Sequence, residues 1–152
     1  MIRETEIGPI SIGFIDGELL CEFGRHIVEK EPPKKLAKQL VEYFAGKKIQ
    51  QFSTPLPEGP LFTRKCWEAC RSIPYGTTIS YKELAEFAGS PKAARAAGQA
   101  MKRNPTAILT PCHRVLSSSG ALHGYEGVTA VKSKELKRKQ FLLELEQRTI
   151  RT

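Results

Sequence analysis

Several features are absent from this sequence of 152 residues, and each absence excludes a class of protein. No apolar run approaches the roughly 18 residues that a membrane-spanning helix needs, so we expect no membrane partner. The first residues, Met1 to Glu6, mix both charges and lack the apolar run of a secretory signal. We therefore expect an intracellular protein, located in the cytoplasm, or in the nucleus if the source is eukaryotic.

The sequence contains four cysteines but no Cys-x-x-Cys pair, which argues against a zinc ribbon or a thioredoxin-type motif. Cys21 lies in an apolar, strand-like run. Cys66 and Cys70 are four residues apart on a predicted helix beside Trp67, and this setting favours small buried residues that pack. Cys112 is different, because polar and basic residues follow it directly.

Asparagine and aspartate are nearly missing: Asn104 and Asp16 are the single examples, whereas Glu and Lys are abundant. Depletion of heat-labile Asn together with enrichment of Glu and Lys is a tendency of hyperthermophile proteins. We therefore hypothesise a thermophilic protein.

Acidic residues are missing from one long segment, since no Asp or Glu occurs between Phe87 and Tyr125. Residues 1–60 hold 8 basic and 9 acidic side chains, a net charge of −1, and residues 61–152 hold 16 and 7, a net charge of +9, which together give the formal +8. The C-terminal part can therefore approach a polyanion without repulsion. A solubilising surface has the same charge, so charge alone leaves both interpretations open.

The N-terminal sixty residues show the pattern of a small sheet and one helix. Two apolar runs, 10–15 and 19–23, flank Asp16-Gly17, which predicts a hairpin. A helix ending near Gly46 is predicted from apolar residues at helical spacing: Leu36, Leu40, Val41 and Phe44. Three prolines and a glycine in residues 53–60 predict a linker.

The remainder is predicted to be mainly helical. Thr63 is expected to cap a helix, and Ser80 with Glu83 forms the capping-box pattern of a second. A third helix is expected from about Pro91 to Arg103, so that the last two resemble a helix-turn-helix. Residues 108–110 read as a short strand, and a final helix would turn Phe141, Leu142 and Leu145 inward. The predicted fold class is α/β (α+β), with a sheet-plus-helix subdomain and its linker at 1–60 and a mainly helical domain with the helix-turn-helix at 61–152.

The third predicted helix carries small side chains around a single long one, Arg95. The small residues are Ala93, Ala94, Ala96, Ala97, Gly98 and Ala100. Such a surface permits tight helix packing or a close approach to nucleic acid, and an isolated arginine is suited to insertion into a groove or base stack.

The chemical focus is the run from Thr110 to Val115. A cysteine acts as a nucleophile only as the thiolate, and Cys112 is followed by His113 and Arg114. On an extended backbone adjacent side chains diverge, so His113 is expected to act through a water. A carboxylate must then hold the imidazole, and the final helix offers Glu144 and Glu146. A buried thiol beside a chance histidine is the other interpretation.

Pro111-Cys112-His113-Arg114-Val115 resembles the active-site signature of the O6-alkylguanine-DNA alkyltransferases, the methylated-DNA–protein-cysteine methyltransferase family. Further segments resemble the same family in order and spacing: 62–67, 73–81, 92–98 with Met101 and Asn104-Pro105, and 141–146. The first sixty residues resemble it in pattern alone.

This resemblance implies direct, irreversible, single-turnover alkyl transfer from O6 of guanine in double-stranded DNA to Cys112, without a cofactor. It implies that the base is flipped out of the duplex, that Arg95 takes its place, and that the helix lies in the minor groove. The DNA contacts so implied are Arg95, Ala94, Ala96, Lys92 and Ser80.

For the chemistry, the resemblance implies that His113 takes the proton of Cys112 through a water, that Glu146 rather than Glu144 orients His113, and that Tyr81 serves the leaving guanine. Asn104 would order the turn before the site, and Arg114 would be structural. The substrate pocket would be lined by Tyr81, Val115, Ser118, Tyr125 and Gly127. A metal site in some relatives uses N-terminal Cys and His; only Cys21 and His26 stand there, so no metal is expected, and we expect a monomer.

The pocket segment departs from the family pattern at His123, Glu126 and Val128. These departures concern the preferred alkyl size and the position of the loop, and leave the reaction unchanged. Three other functions compete. A lesion-binding relative without chemistry would lack the cysteine, and Cys112 is present. A helix-turn-helix regulator would bind undamaged DNA by sequence, and a cysteine hydrolase would turn over repeatedly. Neither of these last two explains Arg95, Asn104 and Cys112 together.

Overall fold

The computed structural model describes residues 1–117 and 134–151. Three antiparallel strands, β1 (Ile2–Thr5), β2 (Gly8–Ile15) and β3 (Glu18–Phe23), form a sheet in the order β1-β2-β3. The predicted hairpin is confirmed, because Asp16 and Gly17 both have positive φ (52° and 77°), as a two-residue turn between twisted strands requires. Strand β1 was not predicted, since its four residues have no apolar alternation.

Helix α1 (Lys34–Phe44) follows Pro33 and packs in the same buried cluster as side chains of β2 and β3. Its buried side chains are Leu36, Leu40 and Tyr43, spaced i, i+4 and i+7. The predicted buried face was therefore rotated: Val41 and Phe44 lie half-buried at its margins, and Tyr43 occupies the centre. A polar hydroxyl thereby enters the core.

The next part contains helix α2 (Leu61–Arg71), strand β4 (Ile79–Ser80) and helices α3 (Tyr81–Phe87) and α4 (Ala94–Lys102). The capping box of Ser80 and Glu83 is confirmed, with both reciprocal hydrogen bonds at 3.0 Å. The predicted cap at Thr63 is wrong: α2 already begins after Pro60, and Thr63 is buried within it. Helix α4 begins three residues later than predicted, because Pro91 lies in the turn that precedes it.

The chain then passes through a 3-10 turn (Cys112–Arg114) into strand β5 (Val115–Leu116), and helix α5 (Lys134–Arg151) ends the described chain. Strand β5 pairs in parallel with β4, which sets Val115 beside Ile79. The strand predicted at 108–110 is wrong, because Ile108 has φ +73° and turns the chain there.

Two clusters of buried side chains make up the core. The first joins the sheet and α1 to Ile108, Leu109 and two residues of α5, Leu142 and Leu145. The second joins α2, α3 and α4 to Val115 of β5. The first cluster therefore draws on residues from both sides of position 60, and α5 connects the sheet with the 3-10 turn. Within residues 1–117 and 134–151, no helix is long and apolar enough to cross a membrane.

Candidate active site

The segment before Cys112 is a tight turn organised by Asn104. The Asn104 amide donates to the Thr110 carbonyl (2.8 Å), and its Oδ1 accepts from the backbone N–H of Thr106 (2.9 Å) and the Thr106 hydroxyl (3.2 Å). The side chain thus bridges the two ends of residues 106–110. This is where the sequence analysis expected Asn104 to act.

Two backbone features show how tightly this turn is held. Ile108, a β-branched residue that disfavours positive φ, adopts φ +73° while buried. Pro111, with φ −78° and ψ 67°, forms the centre of an inverse γ-turn closed by Cys112 N–H donating to the Thr110 carbonyl at 2.8 Å. Strain persists only where surrounding contacts impose it, and Asn104 supplies such contacts.

The N-terminal sheet also holds this turn. The backbone N–H of Cys21 in β3 donates to the Pro105 carbonyl (2.9 Å), and the N–H of Ala107 donates to the Cys21 carbonyl (2.8 Å). Residue 106 therefore joins the edge of the sheet as an isolated bridge. The position of the reactive segment depends in this way on residues far earlier in the chain.

Cys112 opens the 3-10 turn as a free, partly exposed thiol packed against the second cluster. The expectation of an extended backbone here is wrong. In this 3-10 turn His113 and Arg114 are both buried, while Cys112 stays partly accessible.

Glu146 of α5 lies at the centre of the buried polar groups. Its Oε2 lies 2.6 Å from Nε2 of His113, and the Tyr43 hydroxyl donates to the same oxygen at 2.6 Å. Arg114 donates to both oxygens, from Nε to Oε1 (2.9 Å) and from Nη2 to Oε2 (3.0 Å), and Gly76 N–H donates to Oε1 at 3.0 Å. These donors come from α1, the 3-10 turn and the loop after α2.

The charges of this group follow from its contacts. Burial raises the pKa of Glu146, but the hydrogen bonds and charges of His113 and Arg114 outweigh burial and hold that pKa well below its usual value. Burial lowers the pKa of His113, and the Glu146 contact does not reverse this. Glu146 is therefore ionised and His113 neutral at pH 7, with the ion pair formed by Arg114.

The protonation of the imidazole has one consequence for chemistry. Because Nε2 faces a carboxylate oxygen at 2.6 Å, Nε2 carries the proton and Nδ1 is the basic nitrogen. Within the described part of the chain, Nδ1 has no hydrogen-bond partner although it is buried. His113 is thus arranged to accept a proton on one side while Glu146 holds the other.

The two candidate carboxylates differ plainly in position. Glu144 is exposed and accepts from Gln140 at 3.1 Å, whereas Glu146 is buried against His113. Tyr43 was missed by the sequence analysis. The spacing i, i+4, i+7 from Leu36 could have indicated it, because this spacing places position 43 on the buried face of α1.

A second group of side chains meets on the other side of the 3-10 turn. Lys139 of α5 is buried and donates from Nζ to the Val115 carbonyl at 2.6 Å. Its ammonium lies 5.9 Å from the centre of the Tyr81 ring, which also faces Gly98 of α4. Tyr81 and Val115 are thus brought together, as β4 and β5 pair.

Lys139 was also missed from the sequence. Burial lowers its pKa to about 8, although the thiols of Cys112 and Cys70, when ionised, would raise it. Lys139, Leu142 and Glu146 follow at helical spacing on the buried face of α5, and that spacing was the available signal.

The other cysteines are buried, as predicted from their apolar settings. Burial raises the pKa of the Cys66 thiol to about 11 and also raises the pKa values of Cys21 and Cys70. Such groups stay protonated at neutral pH and are poor nucleophiles.

Helix α4 buries one face and exposes the other. Ala97, Ala100 and Met101 pack in the second cluster, and Trp67 donates to the Ala100 carbonyl at 2.9 Å. Arg95 and Ala96 are exposed, as is Lys92 just before the helix, while Ala94 is half-buried. The hydroxyl of Ser80, just before α3, accepts the Glu83 N–H of the capping box. The small-residue face thus serves packing inside and leaves Arg95 projecting outside.

Three predicted pocket residues, Ser118, Tyr125 and Gly127, lie outside the described residues, as do His123, Glu126 and Val128. Among residues 1–117 and 134–151, no group of three or more His, Cys, Asp or Glu side chains is arranged to hold a metal.

Comparisons with known proteins agree on one family. Residues 61–148 match the family model described as the 6-O-methylguanine DNA methyltransferase, DNA binding domain. The methylated-DNA–protein-cysteine methyltransferase of Methanosarcina barkeri is 40% identical, over 99% of this chain and 98% of that protein. The structure of Mycobacterium tuberculosis OGT in complex with DNA aligns with TM-score 0.78 and 35% identity, over 97% of this chain and 92% of that one. An O6-methylguanine DNA methyltransferase from Methanococcus jannaschii aligns with TM-score 0.61 and 26% identity, over 97% and 93%.

Proposed function

This chain belongs to the O6-methylguanine-DNA, or methylated-DNA–protein-cysteine, methyltransferase family, and from that premise we propose that it repairs DNA by moving an alkyl group from O6 of guanine to Cys112. One observation carries the assignment of roles. An accessible thiol opens the same 3-10 turn whose next residue, His113, is buried, neutral and held by Glu146 at 2.6 Å.

The proposed step is a displacement at the alkyl carbon. The Cys112 sulfur forms a bond to that carbon as the carbon–O6 bond breaks, and guanine leaves with the electron pair. Nδ1 of His113 accepts the proton of Cys112 through a bridging water, and Glu146 stabilises the imidazolium that forms. The Tyr81 hydroxyl is our candidate donor to the leaving guanine, because Tyr81 lies beside Val115 and Lys139 at the start of α3.

Recognition of the lesion requires access to a base inside the duplex. O6 of guanine is hidden in the stack, so the nucleotide must be flipped out before it can react. Arg95 projects from the exposed face of α4 between small side chains, which suits insertion in place of the flipped base. Minor-groove and phosphate contacts tolerate any sequence, as repair of scattered lesions requires.

The product limits the protein to one reaction. A thioether is a poor leaving group, and the roles proposed above include no second nucleophile to remove it. We therefore propose a single turnover per chain, on double-stranded DNA carrying O6-alkylguanine, by a monomer that needs no cofactor.

Mass spectrometry tests this function directly. The protein is mixed with a duplex containing one O6-methylguanine, and intact and peptide masses are measured. We expect one methyl group on Cys112, saturating at one per chain, absent in Cys112→Ser and unchanged in Cys66→Ala, whose thiol is buried.

Other results would favour other functions. Tight binding to the lesion without transfer would indicate a lesion-sensing protein. The absence of both transfer and lesion preference would favour a sequence-specific regulator. Repeated turnover of a small ester would indicate a hydrolase.

A further inference from the structure

Tyr43 is the residue of the N-terminal sixty that reaches the buried pair His113–Glu146. Its side chain is fully buried, and its hydroxyl donates to Oε2 of Glu146 at 2.6 Å. Nε2 of His113 lies 2.6 Å from the same carboxylate oxygen, and the Tyr43 oxygen lies 3.4 Å from that nitrogen. The three polar groups therefore form a closed triangle.

We propose that Tyr43 is a positioning residue for alkyl transfer, which fixes the Glu146 carboxylate and thereby sets how strongly His113 takes a proton. This inference rests on the proposed function and assigns a chemical role to helix α1. The hydroxyl competes with His113 for one carboxylate oxygen, so it moderates the pull of Glu146 on the imidazole proton.

The alternative role for a buried tyrosine is packing, and the geometry argues for more. Tyr43 has a phenolic neighbour, Tyr75, at 6.2 Å between ring centres, in the same cluster. The Tyr75 hydroxyl has no hydrogen bond to Glu146 or His113, whereas the Tyr43 hydroxyl contacts both. The two rings therefore fill similar space but differ in their contact with the reactive pair.

Other charged or titratable groups also face the His113–Glu146 pair and influence its charges. Arg114 from the 3-10 turn neutralises Glu146, and Lys139 from α5 disfavours a positive charge on His113. Tyr75 faces Glu146 from the loop after α2. Loss of the Tyr43 hydroxyl leaves these groups in place and removes one donor from Oε2. Glu146 then holds the imidazolium more strongly, and the pKa of His113 rises.

The decisive experiment is the pH dependence of the single-turnover rate on O6-methylguanine duplex for wild type, Tyr43→Phe and Tyr75→Phe, each normalised to the fraction of chains that become methylated. In Tyr43→Phe the rising acidic limb should move to higher pH by about one unit, so that the rate falls about tenfold at acidic pH and recovers at alkaline pH. Tyr75→Phe should follow the wild-type profile.

Each other outcome has a clear meaning. An unshifted limb in Tyr43→Phe, or a rate reduced equally at every pH, would overturn the inference and leave Tyr43 as a packing residue. If Tyr43→Phe does not fold, 3-fluorotyrosine at position 43 keeps the ring and strengthens the donor, and the limb should then move to lower pH. Absence of methyl transfer in the wild type would instead refute the proposed function itself.

Discussion

The guanidinium of Arg114 forms a two-point ion pair with the carboxylate of Glu146, with Nε–Oε1 at 2.9 Å and Nη2–Oε2 at 3.0 Å, and both side chains are buried. A third nitrogen, Nη1, donates to the Ile73 carbonyl at 2.9 Å. Arginine presents a planar fork that matches a carboxylate, which lysine cannot reproduce. Arg114 thus fixes the carboxylate of Glu146, and Glu146 in turn fixes the imidazole of His113.

Replacing Arg114 should damage both stability and reaction. In Arg114→Met the buried carboxylate loses its counter-charge, so the free energy of unfolding should fall by about 3 kcal/mol, measured by urea denaturation. Because Arg114 lowers the pKa of His113, its loss should also raise that pKa. Arg138→Met, which alters an arginine stacked on Phe23, is the control and should change stability by less than half as much.

Asn104 should be required for the shape of the turn before Cys112. Asn104→Ala removes the bridge to Thr110 and Thr106, and we expect a loss of about 2 kcal/mol in unfolding free energy together with a slower alkyl transfer. Asn104→Asp keeps the acceptor for Thr106 but sets an oxygen against the Thr110 carbonyl, so it should be no better than alanine. An Asp variant with wild-type rate and stability would refute this role.

Arg95 should matter more in duplex DNA than in single strands. If its side chain replaces the flipped base, Arg95→Ala should slow transfer from a lesion duplex about tenfold and slow transfer from the same single strand much less, since unstacking costs a few kcal/mol. Arg103→Ala, which removes an exposed charge near the end of α4, is the matched control. Equal losses on both substrates would mean that Arg95 contributes charge alone.

Glu146 should make stability depend on pH in the acid range. Its pKa in the folded protein lies below the ordinary 4.5, so the stability it contributes is present above pH 4.5 and is lost as the pH falls below that value. The difference in unfolding free energy between wild type and Glu146→Gln should therefore shrink from pH 6 to pH 3. Glu144→Gln, at an exposed position, should give a curve parallel to wild type.

Alkylation of Cys112 should lower the melting temperature. The thiol packs against a cluster that contains Ala97, Ala100 and Met101 of α4, all buried, so an added carbon must displace neighbours. Overpacking costs about 1–3 kcal/mol, and each kcal/mol shifts a midpoint by about 2–4 °C in a chain of this size. Calorimetry of methylated and unmodified protein measures the difference, and equal midpoints would show that the site accepts the group without strain.

The sequence determined the local features by itself. Asp16-Gly17 specifies the hairpin because both residues tolerate positive φ, and Ser80 with Glu83 specifies the start of α3 because each side chain satisfies the other's backbone. The ordered motifs around Cys112 identified the family. Where local signals competed, as at Thr63 and Pro91, the boundary was misplaced, since either residue suits a turn as well as a helix start.

Tertiary structure decided which groups meet beside the thiol. The family resemblance paired Glu146 with His113, but no spacing in the sequence indicates that Tyr43 and Arg114 contact the same carboxylate. The conformation of Ile108 was likewise unpredictable, because a positive φ at a β-branched residue arises from contacts imposed by Asn104 and the sheet. Local propensity acts over a few residues, whereas the protonation of His113 depends on burial and on charges brought together by folding.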